Sequence, residues 1–563
     1  MLATATAAVR AMLASARHGW LRMLVQVDAF RSDPATYLGG LGWRMLGLRL
    51  RARNQIAPLA GRSRHAYRLW MAVTEPMLKN AIDDGLTDER ASILVVIDCR
   101  GDLDGLADTL ASIRRSDRHA AVALLGADTR LAGIILESSP DIVIYADLTG
   151  LAGRLGEHET AWICPLAPGD QLAPGALATY ARAAGAATAN IVYTDDDLLD
   201  SRQRRSEPHF KPDWNAELFH HHDFVSGAAI LRVTRGDLLA ITREDWVGAI
   251  VSRLVEGGGS QPRHLPLALH HRRKRPQPVR PARLHATASA QPLVTVVIPT
   301  RNHVALLREC LAGLRRTEYH RLECIVIDND SDDPAARSYL AGLADQGIRV
   351  LPYPGPFNYA AMNNAAAAIA QGDLLCFLNN DIEMLDAGWL SIMIEQACRR
   401  EVGAVGAKLL YPDRTIQHAG VVLGVGGGAA HAHRYCRDAD AGYFARPHLP
   451  QFVTAVTAAC LVISRAKFFA VGGFDAVNFP VAFNDVDLCL KLNARGWQSF
   501  YEPRATLIHH ESKSRGSDRA KANRGRFAGE LEALKRIWFT DRATDPYHHV
   551  HLSPFSEQFV VAV

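Results

Sequence analysis

The sequence predicts an α/β protein with two tandem, mostly parallel, doubly wound sheets behind a helical N-terminal segment. Short apolar runs such as Ile93-Leu94-Val95-Val96-Ile97 and Leu374-Leu375-Cys376-Phe377-Leu378 recur along the chain, the pattern of strands buried on both faces. Helix-like stretches separate them, which is the rhythm of a parallel sheet. At 563 residues the chain is too long for one ordinary domain.

Residues 1–88 are rich in alanine, leucine and arginine with few breakers, and predict helices. The first thirty carry Arg10, Arg17 and Arg22 against Asp28. A basic amphipathic helix on an anionic membrane has this pattern, and so does a helix packed on its own protein. Residues 89–260 predict the first α/β unit, with strands at 93–97, 121–125 and 142–145. Residues 261–291 hold several prolines and the run His270-His271-Arg272-Arg273-Lys274-Arg275 without an acid, and predict an exposed linker. Residues 292–540 predict the second α/β unit, and 541–563 a C-terminal tail. In the second unit strands are expected at 294–298, 323–327, up to 351 and 374–378. Helices are expected at about 303–315, 334–345 and 359–370.

Composition removes several function classes. Hydrophobic residues make up 48% and charged residues 22%, an ordinary soluble balance. The net charge of +4 is too small to point to nucleic acid. No apolar run reaches the length of a membrane span, and the N-terminus lacks the pattern of a signal peptide. The nine cysteines contain no CxxC pair. They read as buried free thiols of a reducing, cytoplasmic compartment, neither a disulfide frame nor a zinc site. No GxxxxGK[ST] loop is present. The cluster Gly424-Val425-Gly426-Gly427-Gly428 does not open a βαβ unit, so it reads as a flexible loop and leaves a nucleotide-dependent oxidoreductase without support.

In a doubly wound sheet, ligands sit beyond the carboxyl ends of the strands. Three polar groups fall there: Pro299-Thr300-Arg301-Asn302, Asp328-Asn329-Asp330-Ser331 and Asn379-Asn380-Asp381. Asp328 could accept hydrogen bonds from a base or a ribose, and Thr300, Arg301 and Asn302 could position ribose and phosphates. Asp381 could hold a hard divalent cation shared with two phosphate oxygens, or simply form a turn. Phe483-Asn484-Asp485-Val486-Asp487 predicts a helix start with Asn484 as N-cap and Gly496 near the C-cap. Its acids could complement the helix dipole, or Asp485 could act as a general base on a sugar hydroxyl. His509-His510 follows an apolar run and could complete a metal site with Asp381. His431 and His433 form an HxH that could also bind a metal, although a surface loop is the favoured reading.

Taken in order, these groups resemble a bacterial family 2 glycosyltransferase with a GT-A fold, of the O-antigen and rhamnan type, from about residue 292 to 516. The likeness includes Val296–Asn302, Val326–Ser331, Gly355-Pro356-Phe357-Asn358-Tyr359, Phe377–Asp381, Gly403–Pro412, Thr415–Gly420, Gly472–Asp475, Phe483–Leu488 and His509-His510-Glu511-Ser512. It implies a metal-dependent, inverting transfer of a sugar from a dTDP-, UDP- or GDP-sugar to a cell-surface polysaccharide or lipid-linked glycan. The resemblance implies Asp485 as the base, and a divalent cation, Mg²⁺ or Mn²⁺, held by Asp381 with one of His509 and His510, His509 being favoured. Donor binding would fall to Pro299, Thr300, Arg301, Asn302, Asp328, Asn329, Ser331, Asn358, Asn364, Asn379 and Asn380. The first acid of the family's DXD motif is replaced by Asn379. A cytoplasmic protein with a peripheral contact at the inner membrane face would suit a lipid-linked acceptor. The front unit resembles the same family in degenerate form: Cys164–Asp170 stands in place of a first DXD, while Tyr193-Thr194-Asp195-Asp196-Asp197 and Phe210–Asn215 match its N-terminal halves. It is expected to act as scaffold or acceptor module. The rival reading is a sugar-nucleotide or glycan-binding protein without catalysis.

Overall fold

The apolar runs become strands because both of their faces are covered. All seven residues of Val294–Thr300 are buried, as are all five of Leu374–Leu378. The computed structural model describes residues 2–78, 90–127, 142–258, 260–281, 291–510 and 524–563. Glu511 and Ser512, the end of one motif, lie outside the described residues.

Among the described residues, the helices α1 (Leu2–Ser32), α2 (Pro34–Met45), α3 (Arg49–Gly61) and α4 (Ala66–Val73) precede the sheets. Asp33 caps α2 by accepting a hydrogen bond from Thr36 N at 3.0 Å, with Pro34 in the first helical position. Leu21, Val25 and Ala29 of α1 pack on Leu59, Ala60 and Leu69.

The first sheet contains β1 (Ile93–Asp98), β2 (Ala121–Leu125), β3 (Ile142–Tyr145), β4 (Thr160–Leu166), β5 (Gln171–Leu172), β6 (Ile191–Leu199), β7 (Arg205–His209), β8 (Ala229–Thr234) and β9 (Arg263–Arg272). The second contains β10 (Val294–Thr300), β11 (Leu322–Asp328), β12 (Arg349–Pro352), β13 (Leu374–Leu378), β14 (Ile382–Met384), β15 (Val402–Leu410), β16 (Ile416–His418), β19 (Gln451–Val453), β20 (Cys460–Ser464) and β21 (Gln498–His509). Two short strands between β16 and β19, β17 (Val421–Leu423) and β18 (Ala429–His431), form a separate hairpin.

The two sheets share one topology. The first runs β3-β2-β1-β4-β8-β6-β9-β5 and the second β12-β11-β10-β13-β20-β15-β21-β14. In each, the first four strands are parallel, the fifth is reversed against both neighbours, the sixth and seventh are parallel, and a short antiparallel strand closes the edge. The tandem α/β organisation is therefore written in the strand order itself, with two domains of one topology in sequence. The sheets are mixed: six of the eight strands along each path run one way, and β8 and β20 run against their neighbours. An apolar run shows burial but carries no direction.

Two segments differ from expectation. Residues 263–272 are not linker: they form β9, paired with β6 and β5 inside the first sheet, and His270 is fully buried. The basic run misleads because its arginines are neutralised by acids distant in sequence. The segment 541–563 is not a free tail: Phe559 and Leu552 share an apolar cluster with Tyr67, Trp70, Phe210 and Val425. His549 Nε2 lies 2.9 Å from Asp195 Oδ2, and Pro546 O accepts from Asp213 N at 2.8 Å. Burial alone would raise the Asp195 pKa, but His549 and His264 hold it well below the ordinary aspartate range. The two domains also meet directly. Asn215 exchanges hydrogen bonds with the backbone of Phe452, at 2.8 and 3.2 Å, so the Phe210–Asn215 motif ties the first domain to the second.

Candidate active site

The carboxyl ends of β10 and β13 open onto a cavity of about 560 Å³. Pro299, Thr300, Arg301, Asn302, Asn379, Asn380 and Asp381 line it from the sheet. Asp485 and Asn484 line it from the helix Asn484–Ala494, and His509 from the end of β21. The residues named in four separate motifs thus face one space.

The acidic side of the site is set by strand register. Ile382 of β14 pairs with His509 of β21, so Asp381, one residue earlier, is brought beside the imidazole. His509 Nε2 lies 3.1 Å from Asp381 Oδ1 and 3.2 Å from Asn379 Nδ2. On the other side of the ring, His509 Nδ1 is 2.7 Å from Gln417 Oε1. With the Nδ1 proton donated to Gln417, the Nε2 lone pair faces the Asp381 carboxylate. Two electron-pair donors converging at this distance suit a divalent cation, and the outer amide fixes the tautomer as metal-binding histidines require. Asp381 and His509 therefore fit a metal centre. Asn379 Nδ2 stands 3.2 Å from the same Nε2 atom, beside the Asp381 carboxylate. His510 does not line the cavity: its Nε2 lies 3.0 Å from Glu383 Oε2. Side chains alternate along a strand, and consecutive residues at its end point apart.

Asp485 stands at the start of a helix whose N-cap is Phe483, in a left-handed conformation with φ 60°, not Asn484. Asn484 is instead the first helical residue, and its buried amide donates to Val481 O at 2.7 Å. Gly496, with φ 82°, ends the helix as expected. Asp485 Oδ2 accepts from Ala458 N at 3.0 Å and Oδ1 from Val486 N at 2.9 Å. Burial raises its pKa above that of an ordinary aspartate, and these backbone donors oppose the rise. A carboxylate held rigidly with a raised pKa is a stronger base than a solvated one.

The other five predicted donor residues make hydrogen bonds within the protein. Asp328 Oδ1 accepts from Ser331 N at 3.0 Å, and Ser331 Oγ accepts from Asn302 N at 2.9 Å. Asn329 is fully buried and donates to the carbonyls of Tyr353 and Gly355. Asn358 caps the helix Tyr359–Ile369, and Asn364 is hydrogen-bonded to the backbone of Phe474 in both directions. None of these five lines the cavity. They hold the strand-end loops in place, and Asn302 itself bridges to Asp332 and Asp333. Asn302 and His303 both have positive φ, at 54° and 46°. Consecutive left-handed non-glycine residues are costly and concentrate where a site imposes them.

Several lining residues escaped the sequence reading: Phe357, Tyr359, Gln417, His431 and Thr457. Gln417 and Phe357 lie inside motifs, but nothing in the chain order shows that they reach this cavity. His431, expected in a surface loop, sits 2.8 Å from His418, nitrogen to nitrogen. Burial pushes the His418 pKa down to about 3, which keeps that ring neutral. His433 is buried against Phe559 and away from the cavity.

The first domain offers a direct contrast. Gln171 of β5 pairs with His271 of β9, so Asp170 occupies the place that Asp381 has in the second sheet, and His271 the place of His509. Here the space is filled. A Cβ at Gly227 would lie 2.0 Å from the Arg272 guanidinium carbon, and one at Gly169 would lie 1.9 Å from Arg273 Cδ. Gly227 precedes β8 as Ala458, which lines the cavity, precedes β20. Asp170 receives Arg273 N at 2.8 Å, and burial raises its pKa to about 6. Deeper in, Lys211 Nζ pairs with Asp196 Oδ2 at 2.8 Å, both fully buried, and Arg275 adds a second cation on Asp196. The basic run thus plugs the edge where the second domain is open. Removing one member of a buried pair costs about 3–5 kcal/mol. Lys211→Met is therefore expected to lower the midpoint of thermal unfolding by several degrees while leaving the activity of the folded fraction unchanged, as calorimetry and assays on the same sample would show.

Comparison with known proteins agrees with this geometry. Residues 295–421 match the family model described as Glycosyl transferase family 2. The uncharacterized protein y4gI of Sinorhizobium fredii is 36% identical over 449 residues, covering 71% of this chain and 49% of that protein. The O-antigen biosynthesis protein RfbC of Myxococcus xanthus is 34% identical over 428 residues, covering 68% of this chain and 33% of that protein. The chain thus spans half or less of the length of these two relatives. A mannosyltransferase from Pyrobaculum calidifontis, solved with GDP-Man and Mn²⁺, aligns at 18% identity with a TM-score of 0.35, over 49% of this chain and 71% of its own. That likeness is too distant to bear on function.

Proposed function

We propose, from the match of residues 295–421 to the model of family 2 glycosyl transferases, that this chain is an inverting glycosyltransferase moving a sugar from a nucleotide-diphosphate sugar onto a glycan. The observation that carries the proposal is the single cavity shared by Asp381, His509 and Asp485. A non-catalytic binding protein needs no rigid carboxylate of raised pKa opposite a cation site.

In this reading Thr300, Arg301 and Asn302 flank the nucleotide and its phosphates, with the Asn380 amide donating to Thr300 Oγ1 at 2.9 Å to fix the hydroxyl. Asp381 and His509 would hold a divalent cation, Mg²⁺ or Mn²⁺, which when bound neutralises charge on a departing diphosphate. Asp485 takes the proton from the acceptor hydroxyl as that oxygen attacks the anomeric carbon. The new C–O bond forms as the bond to the diphosphate breaks, with inversion at carbon. With Asp381 committed to the cation and Asp485 acting as the base, the arrangement suits a single displacement.

Under this proposal the first domain is a scaffold: its equivalent edge is filled by its own arginines. The acceptor is a polysaccharide or lipid-linked glycan, and the protein works in the cytoplasm at the inner membrane face. Among the described residues no helix is long and apolar enough to cross a membrane.

The test is a panel of nucleotide sugars with and without Mn²⁺ or Mg²⁺, read by thermal stabilisation and by release of nucleoside diphosphate. One donor should raise the melting midpoint only with the cation and be turned over. If no donor stabilises the protein, or one does so without ever being cleaved, the transferase proposal fails.

A further inference from the structure

Helix α1 is apolar on two opposite faces. One, Leu21-Val25-Ala29, is packed on α3 and α4. The other carries Met12, Ala16, Trp20, Met23, Val27 and Phe30, spaced by three and four residues, so these positions form one continuous stripe. Its five large members are each at least 36% exposed. Leu38, Met45, Leu46, Leu48 and Leu50, on α2, α3 and the turn between them, are exposed as well.

The charge around this apolar surface has one sign. Residues 1–74 hold eleven arginines against two acids, Asp28 and Asp33. Arg17, Arg22, Arg31, Arg44, Arg49 and Arg51 are all exposed. Trp20 beside arginine side chains is the composition of an interfacial anchor: the indole suits the headgroup level, and arginine attracts anionic lipid.

We propose that the face formed by α1, α2 and the start of α3 docks on an anionic phospholipid surface, with the Met12–Phe30 stripe inserted at the headgroup boundary. The commitment to lipid rests on charge complementarity. A self-association surface this dense in one charge would repel its own copy.

The position of the helical unit gives the docking a use. Asn54 of α3 lies against Gly426, whose Cβ, if it had one, would stand 3.8 Å from the Asn54 amide. Gly426 lies in the turn of the β17–β18 hairpin, and that hairpin ends at His431 on the cavity wall. The lipid-facing unit therefore abuts the structure that borders the active-site mouth. Presentation of a lipid-linked acceptor to that mouth rests on the transferase reading; the membrane contact itself does not.

The experiment is co-sedimentation of the full chain with phosphatidylcholine vesicles, with and without phosphatidylglycerol. Binding is expected only with the anionic lipid, and raised salt should weaken it. Trp20→Glu/Val27→Glu, at two exposed positions, should lower partitioning by about tenfold or more, and Arg17→Glu/Arg22→Glu should do likewise. Circular dichroism and donor hydrolysis in detergent-free solution should stay at wild-type values in both variants. Equal binding to neutral vesicles, no binding to anionic ones, or wild-type binding by the Trp20/Val27 variant would overturn the proposal. So would light scattering that shows a dimer dissociated by the same substitutions, which would assign the stripe to a second copy. Vesicle binding without donor turnover would instead sink the transferase reading and leave the membrane surface standing.

Discussion

Asp485→Asn is expected to slow sugar transfer by about 10²–10⁴-fold, the usual contribution of a positioned general base. Donor affinity and fold should be nearly unchanged, because Asn484, Val486 and the helix behind them remain packed. The loss should appear in kcat rather than in KM, since the carboxylate acts on a proton that moves only in the transition state. In the wild type, protonation of Asp485 removes the base, so kcat/KM should fall as pH is lowered. Burial raises that pKa, so the acid limb should lie above the range of an ordinary aspartate. Rates within threefold of wild type for the variant would remove Asp485 from the mechanism. If Asp170→Ala were the inactive variant instead, the assignment of the two domains would be reversed.

The second large effect is expected at the cation site. Asp381→Ala should abolish divalent-dependent donor stabilisation and lower turnover by about 10²–10³-fold, the scale seen when one group stabilising developing charge is removed. His509→Ala should do nearly the same. The double variant should be little worse than either, because both residues serve one centre and such effects are not additive. His510→Ala should cost far less: its imidazole turns to Glu383, outside the cavity. Titration of Mn²⁺ followed by calorimetry reads these four proteins directly. Retained cation dependence in Asp381→Ala would show that the ion is held elsewhere.

These two experiments probe residues that were legible long before coordinates. Asp381, His509 and Asp485 each sit at the end of an apolar run or the start of a helix, where chain direction alone puts polar groups at an element's edge. The donor set divides between cavity wall and loop. Asp328, Asn329, Ser331, Asn358 and Asn364 share motif positions with the cavity residues but are spent on loop geometry. A polar side chain in a turn can satisfy a backbone N–H or face a ligand, and the motif looks alike in both cases. Gln417, His431 and Thr457 went unseen for the opposite reason: they arrive from a hairpin and a connecting loop whose placement depends on pairing with β15 and β20.

Local patterning was enough to specify two α/β units, a helical front, and the polar strand ends that form the site, because burial and turn chemistry act within a few residues. Folding in three dimensions decided strand direction at β8 and β20, the incorporation of 263–272 as a strand, and which unit stays open. The basic run at 270–275 shows why. Its charges look solvated in one dimension, yet Asp170 and Asp196 meet them across the sheet and let arginine fill the first domain's edge. Electrostatic pairing between residues far apart in the chain has no local signature, so only the assembled structure reveals what fills the edge of the degenerate first domain.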